Sequence, residues 1–266
     1  MVQDIFSCLL FTLNFLISIR CDSNFGPVCT NIYLIFSIIL NYFSEIKITE
    51  YNVNIDDLLK FCFDELSTSD DIDIETIIIK NFSTFLMRFD VFNDDVRKAI
   101  FESFEQILNK NCISLFNEVL FTLTSFAKIE PGIRFIIEDE SQLVERFTLC
   151  GLEQHNEFIE YNSLILANTL YHTLKEDRLN DFHARFPLHR YQDFLHDSKD
   201  TQKASLNLLF TIVFNYPDFI ESLMNNNVYS SPKPSLKFIL NECSFELKEI
   251  ASQIILRTVL WNNKEW

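Results

Sequence analysis

The chain has 266 residues, 48% of them hydrophobic, and its 22 basic and 38 acidic residues give a net charge of −16 at pH 7. This acidity excludes a typical nucleic-acid-binding protein, whose affinity depends on cationic contacts with phosphate. The favoured interpretation is that the acidity keeps a Phe-rich chain soluble, with attraction of basic peptide segments as the alternative. With only 3 glycines and 6 prolines, the chain lacks the turn residues of a β-sandwich or a glycine-looped enzyme, so we expect helices joined by short turns.

The first element in the chain is a strongly apolar run at residues 5–19. A signal peptide carries positive charge before its apolar stretch, whereas here Gln3 and Asp4 precede the run and Arg20 follows it. The run is also shorter than the roughly 20 apolar residues of a membrane-spanning helix. We therefore expect residues 1–30 to form N-terminal capping helices, with a membrane anchor or signal peptide at 5–19 as the alternative.

Long apolar stretches then recur along the chain, and each predicts a helix of three or more turns. They lie at 31–43, 74–89, 113–128, 157–174, 201–215 and 245–260. In the middle of each lies a polar residue amid apolar ones, and the steps between these polar residues are 42, 42, 43, 43 and 42. This set, the polar ladder, consists of Asn41, Ser83, Ser125, Asn168, Thr211 and Gln253. A near-constant step of this length indicates stacked repeats, because an irregular globule has no reason to preserve it.

Shorter helices are predicted between the long ones. Pro131 and Gly132 indicate a turn at 129–132, because proline presets φ and glycine allows the chain to reverse. A short helix at 133–137 and a second one from Leu143 follow. The same order of turn, short helix and medium helix recurs at 216–218, 219–224 and 236–240. Serine and aspartate, which favour helix N-caps, precede two long helices at 69–71 and 198–200.

A unit of about forty residues and three helices resembles the armadillo repeat. The best local match joins 120–128 to 131–137 and is similar to the third helix of one unit entering the first helix of the next; the second best is 246–256. The resemblance implies an all-α fold, a right-handed α-solenoid of about five to six three-helix repeats. It would form one domain over 1–266, with the repeats at 31–266. HEAT repeats, which have two helices per unit, are the alternative.

The resemblance also implies a function, because the third helices of armadillo proteins line a concave groove that holds extended peptides. It implies a non-catalytic scaffold or adaptor for a protein or peptide partner, with the polar ladder as the groove residues. Importin-like members hold their peptide with a Trp and an Asn four residues apart, and neither Trp261 nor Trp266 has such an Asn. An importin-type role is therefore in doubt. For each ladder residue, the alternative is a side chain that faces the helix stack and makes its hydrogen bonds there. Ser and Thr, for example, readily donate to a backbone carbonyl of their own helix.

No motif for catalysis is present in the sequence. Gly26, Gly132 and Gly151 are too far apart for a phosphate-binding or dinucleotide-binding loop. There is also no nucleophile elbow, zinc-protease motif or calcium-binding loop. We therefore predict that the protein is not an enzyme and has no cofactor, with an unrecognised active site as the alternative.

Polar residues cluster in the least regular part of the sequence. A cluster of histidines and aspartates consists of His183, His189, Asp193, His196 and Asp197. Within it, the spacing of His189, Asp193 and His196 on one helical face is compatible with zinc. Arginines that could bind a carboxylate or a phosphopeptide are Arg178, Arg185 and Arg190. The favoured interpretations are solvent-facing polar residues for the first set and local ion pairing for the second, so no metal is predicted. The carboxylates expected to pair with the arginines are Glu176, Asp177, Asp181 and Asp193.

The seven cysteines are scattered and form no CxxC motif, which predicts a reducing compartment, the cytoplasm or the nucleus. An acidic segment at 56–75 is interpreted as a solvated helix end and loop, with steering of basic peptides as the alternative. Other functions remain open: nucleocytoplasmic transport, a chaperone-cofactor role, or membrane association through 5–19.

Overall fold

A computed structural model describes residues 71–89, 94–110, 112–138, 141–154, 156–185, 198–220 and 236–262, with isolated positions at 8, 11–12, 62–63, 66, 191 and 194–195. Within these residues the backbone is helical or in turns and no strand occurs. The predicted helix at 31–43 and nearly all of the apolar run at 5–19 lie outside them. No described helix is both long enough and apolar enough to pass through a membrane. The all-α fold class is confirmed.

The described residues form ten α-helices. In chain order they are α1 (Ile72–Phe89), α2 (Asp94–Asn109), α3 (Ile113–Phe126), α4 (Glu130–Ile137), α5 (Leu143–Leu152), α6 (Glu157–Thr173), α7 (Glu176–Arg185), α8 (Lys199–Asn215), α9 (Leu236–Glu242) and α10 (Phe245–Asn262). A short 3-10 turn, Pro217–Phe219, follows α8. The long helices predicted from residue 74 onward are α1, α3, α6, α8 and α10, and their observed ends lie within two residues of the predicted ones.

The chain divides into two compact units, Met1–Phe135 and Ile136–Trp266. In the first unit α3 packs against both α1 and α2. In the second unit α6 packs against α8 and α8 against α10, while α5 lies on α6 and α9 on α10. Long helices one repeat apart therefore lie side by side within each unit, as a stack of repeats requires.

Each unit encloses its own apolar core. In the first unit Phe126 packs edge-to-face on Phe135 at 5.3 Å between ring centroids, and Phe101 stacks on Phe135 at 4.3 Å. In the second unit Leu170 of α6 and Ile212 of α8 are fully buried. Burial of such side chains contributes about 1.5–3 kcal/mol each, so the apolar core of each unit stabilises its stack of helices.

Side-chain caps determine where several helices begin. Asp71 accepts hydrogen bonds from the backbone amides of Asp73 and Ile74, at 3.0 and 3.3 Å, so the N-cap expected at 69–71 is confirmed. Ser198 caps α8 in the same way through the amide of Thr201, as predicted. These bonds satisfy amides of the first helical turn that have no partner inside the helix.

The predicted turn at 129–132 is shorter than expected. Helix α4 begins at Glu130, so Pro131 and Gly132 belong to its first turn. A β-carbon on Gly132 would lie 2.2 Å from the carbonyl oxygen of Phe126 and 2.7 Å from its α-carbon. Glycine is required here because α4 approaches the backbone at the end of α3 closely, and not because the chain reverses direction.

The end of the acidic segment at 56–75 is not solvated. Glu75 is almost completely buried, and its Oε1 accepts a hydrogen bond of 2.6 Å from Nζ of Lys110. Lys110 follows the end of α2, so this ion pair ties the start of α1 to the end of α2. Most of the segment before residue 71 lies outside the described residues.

Candidate partner-binding surface

A stripe of exposed side chains runs across the long helices of the second unit. We call it the α6–α8–α10 surface. Its members are Tyr161, Asn168 and His172 on α6, Lys203, Asn207, Phe210 and Phe214 on α8, and Glu246, Gln253 and Arg257 on α10. All of them are at least partly exposed. They combine hydrogen-bonding groups, charges of both signs and aromatic rings, as a surface that binds peptides requires.

The pattern on α8 shows how the sequence creates this surface. Lys203, Asn207, Phe210 and Phe214 recur at steps of four, three and four, so they share one face of the helix. The opposite face carries small and apolar residues that are buried: Thr201, Ala204, Ser205, Leu208, Leu209 and Ile212. Polar and aromatic residues that core packing does not need are thereby left at the surface.

Two contacts connect α8 to α10 across this surface. Nζ of Lys203 donates to Oε1 of Glu246 at 2.5 Å, and this hydrogen bond holds the pKa of Glu246 below its ordinary value. Eleven residues further along, the guanidinium carbon of Arg257 lies 5.5 Å from the ring centroid of Phe214. Both contacts join residues 43 positions apart. Each residue of α8 at these contacts therefore lies beside the residue of α10 that follows it by one repeat length.

Two members of the polar ladder are buried and make polar contacts within the fold. Ser125 on α3 is buried, and its hydroxyl donates to the carbonyl oxygen of Phe121 in its own helix at 2.9 Å. Thr211 on α8 is also buried, with its Oγ1 3.5 Å from Nε2 of His172. Ser125 thus follows the alternative considered for serine and threonine, in which the hydroxyl bonds to a carbonyl oxygen of its own helix.

The other ladder residues of the second unit lie on the α6–α8–α10 surface. Asn168 is partly exposed, and its Oδ1 is buried without a hydrogen-bond partner among the described residues. Gln253 on α10 is exposed. Asn41 and the side chain of Ser83 lie outside the described residues. The assignment of the ladder as groove residues thus stays a prediction, with Gln253 exposed and Asn168 partly exposed.

Sequence reasoning missed the aromatic members of this surface. The step of 43 between α8 and α10 places Phe210, and not Thr211, on the exposed side at the level of Gln253. The signal was the spacing of Lys203, Asn207, Phe210 and Phe214, which forms a second stripe beside the ladder. Phe210 and Phe214 stack on each other with centroids 4.2 Å apart.

A partly buried aromatic cluster includes Tyr171 at the end of α6 and one residue of the histidine set. The hydroxyl of Tyr171 is 3.0 Å from Nδ1 of His183, and the His183 ring stacks on Phe219 at 3.8 Å. Tyr216 donates to the carbonyl oxygen of Tyr171. Burial lowers the pKa of His183 to about 4. The imidazole is therefore neutral at pH 7, and it packs α7 against the end of α6 and the 3-10 turn after α8.

The other members of the histidine and aspartate set, at residues 189, 193, 196 and 197, lie outside the described residues. Among the residues that the structure describes, no three His, Cys, Asp or Glu side chains come together as a metal site.

We expect His183 to make the stability of the protein depend on pH. Its folded pKa of about 4 lies below the ordinary value of 6.5, so the unfolded chain takes up the proton first and acid favours unfolding. Stability should fall as the pH drops from about 6.5 to about 4. Because the ring is only partly buried, we expect a loss of about 1 kcal/mol by about pH 5 and not the full value of the shift.

Urea unfolding at neutral pH and at about pH 5 measures this effect. The matched variant is His183→Gln, which has no titrating group but can still hydrogen-bond the Tyr171 hydroxyl. Carboxylates contribute to the pH dependence of both proteins, so the difference between them isolates His183. An equal pH dependence in the two proteins would show that His183 is not coupled to folding.

In the predicted arginine cluster, Arg178 pairs with a different carboxylate from those expected. Arg178 on α7 pairs with Glu145 on α5, through its Nε at 2.8 Å and also through its Nη2, and its Nη1 donates to the carbonyl oxygen of Ile137 at 2.9 Å. Its carboxylate partner is therefore distant in sequence and is none of the four residues proposed. Arg185 is exposed, and Arg190 lies outside the described residues.

Comparison with known proteins identifies the fold. No protein-family model matches the sequence, and no curated protein matches it. Among solved structures, the chain is similar to a designed armadillo repeat protein in complex with the peptide (KR)4, with a TM-score of 0.67 and 11% identity over 95% of this chain and 98% of that one. It is also similar to computationally designed armadillo repeat proteins for modular peptide recognition, with a TM-score of 0.66 and 11% identity over 94% and 98% of the two chains.

A further designed armadillo repeat protein aligns with a TM-score of 0.63 and 10% identity, over 95% of this chain and 99% of that one. At such low identity these likenesses report the fold alone. They show an armadillo-like repeat fold of the all-α solenoid class along nearly the whole chain, so the resemblance read from the sequence is confirmed.

Proposed function

We propose that this armadillo-like repeat protein is a non-catalytic scaffold that binds a segment of a protein or peptide partner along the α6–α8–α10 surface. One observation carries the proposal. Three long helices lie side by side and present hydrogen-bonding, charged and aromatic side chains at the repeat step. Such an array suits an extended chain, because equivalent side chains recur at regular intervals across it. The similar designed proteins, one of them in complex with a peptide, support this assignment.

The partner segment is proposed to be predominantly basic. The chain carries a net charge of −16, which attracts cationic segments and accelerates their association at low salt. The similar designed protein in complex with (KR)4 supports a basic partner by analogy of fold. Binding should weaken as salt rises, because exposed charges are screened over a Debye length of about 8 Å at physiological ionic strength.

The location proposed for this scaffold is the cytoplasm or the nucleus. None of the described cysteines forms a disulfide, which agrees with a reducing compartment. Roles in nucleocytoplasmic transport or as a chaperone cofactor would use the same surface, and the identity of the partners recovered from cells would distinguish them.

A charge introduced at Asn168 tests the surface. We expect Asn168→Arg to weaken binding of fluorescein-labelled (KR)4 by about tenfold in anisotropy titrations, because a cation would face a cationic peptide in a partly buried position. The matched control is Asn180→Arg, at an exposed position on α7, which makes the same chemical change away from the surface. It should bind (KR)4 like the wild type.

Affinity purification with mass spectrometry, carried out with the same three proteins, extends the test to natural partners. The wild type and Asn180→Arg should recover the same partners, and Asn168→Arg should lose them. Equal recovery by all three proteins, together with equal affinity for (KR)4, would contradict binding at the α6–α8–α10 surface.

A further inference from the structure

One cation on the α6–α8–α10 surface has no carboxylate partner. Arg257 on α10 forms no ion pair with any described residue, and its Nε is buried without a hydrogen-bond acceptor among them. Lys203, by contrast, is already paired with Glu246. An arginine that has lost part of its hydration without gaining an acceptor gains more than a solvated one from an arriving anion.

The acidic residues of α8 and α10 lie too far along the helix axes to form an ion pair with Arg257. On α10 the nearest is Glu249, eight residues earlier, or about 12 Å along the helix. On α8 the only acidic residue is Asp200, at the opposite end of the helix from Phe214. Asp218, in the turn after α8, forms no ion pair with Arg257. Among the described residues, the positive charge of Arg257 therefore has no carboxylate partner, although the net charge of the chain is −16.

An aromatic platform adjoins this cation. Phe210 and Phe214 stack at an interplanar angle of 26° with centroids 4.2 Å apart, and the Arg257 guanidinium lies over the Phe214 ring. Phe214 remains 39% exposed although it is a large apolar side chain. The ring holds the guanidinium by a cation–π contact, and it leaves apolar area beside it for a further side chain.

We propose that Arg257 binds a side-chain carboxylate of the partner segment and that Phe210 and Phe214 receive an apolar side chain next to it. This inference rests on the proposed function and specifies its chemistry: a mainly basic segment with one acidic residue beside an aromatic or aliphatic one. The planar guanidinium offers two parallel donors to a carboxylate. The nearby rings lower the local dielectric and so strengthen that contact.

Two amidated, mainly basic peptides that differ at one side chain test the proposal: KKFEFKKK and KKFQFKKK, each labelled with fluorescein. The net charge of the protein favours the glutamine peptide, which is the more cationic one. A preference for the glutamate peptide therefore has to come from a local contact. We expect the wild type to bind KKFEFKKK about fivefold more tightly than KKFQFKKK in anisotropy titrations.

Variants then locate that contact. Arg257→Gln should abolish the preference for glutamate, and Arg257→Lys should retain only part of it, because lysine keeps the charge without the planar fork. Phe214→Leu should weaken the binding of both peptides. The charge-matched control is Lys237→Gln, at an exposed position on α9, which should keep the wild-type preference. Circular dichroism of each variant establishes that the helices are intact before affinities are compared.

Several outcomes would overturn the inference. They are an unchanged preference in Arg257→Gln, an equal loss in Lys237→Gln, and no preference or no binding in the wild type. Tight binding of KKFQFKKK with a free C-terminus would assign Arg257 to a terminal carboxylate instead of a side chain. If (KR)4 binds and responds to Asn168→Arg while glutamate has no effect, only this inference fails. If no peptide binds, the proposed function fails with it.

Discussion

Gly132→Ala is expected to lower the free energy of unfolding by about 3 kcal/mol. In an ordinary helical position the same change stabilises by about 0.5–1 kcal/mol, because alanine has the higher helix propensity. Here the new β-carbon would lie 2.2 Å from the Phe126 carbonyl oxygen and 2.6 Å from its carbonyl carbon. Both are backbone atoms of a fully buried residue, so the clash can be relieved only by moving α4 away from α3.

Chemical denaturation of the wild type and Gly132→Ala measures this cost. The control is Glu130→Ala in the same helical turn, which removes only an exposed ion pair of 3.0 Å with Arg134. That change should cost less than about 0.5 kcal/mol. A Gly132→Ala protein as stable as the wild type would mean that α4 does not approach α3 as closely as the structure shows.

Arg178→Met should be comparably destabilising, by about 3 kcal/mol. The side chain of Glu145 is only 4% exposed and that of Arg178 21% exposed. Removing the arginine takes the main cation away from a carboxylate that cannot reach bulk water, and it also removes a donor to the carbonyl oxygen of Ile137. Loss of one partner of a buried pair costs far more than the pair contributes when intact.

A second variant separates charge burial from lost packing. Glu145→Gln combined with Arg178→Met should recover part of the stability, since no unpaired charge then remains in the interior. Arg134→Met, which breaks the exposed pair with Glu130, should have a small effect by comparison. A double variant that is less stable than Arg178→Met alone would contradict the argument from buried charge.

The fold could be predicted from the sequence because stacking imposes equal spacing on residues that face the neighbouring repeat. The long helices recur at steps of 42 and 43, and that spacing survives large differences in residue type. Their ends were also predictable, since caps such as Asp71 and Ser198 act within one helical turn. Both signals are local or strictly periodic, which is why a single sequence reveals them.

The candidate site was less predictable, because it depends on which side of each helix its neighbours cover. The periodicity locates a stripe on α8 but does not determine whether Phe210 or Thr211 faces solvent. The partner of Arg178 was missed for a similar reason. Local pairing rules consider residues three or four positions away, whereas Glu145 lies 33 positions earlier and meets Arg178 only after α5 and α7 have folded.

The side-by-side arrangement of α6, α8 and α10 also determines how short a ligand can be. Packed helices lie about 8–10 Å apart, so a strand-like peptide that crosses all three must cover about 16–20 Å. At about 3.3 Å per residue, the minimal footprint is five or six residues. A tetrapeptide would reach only two helices, and affinity should therefore rise steeply between four and six residues before it levels off.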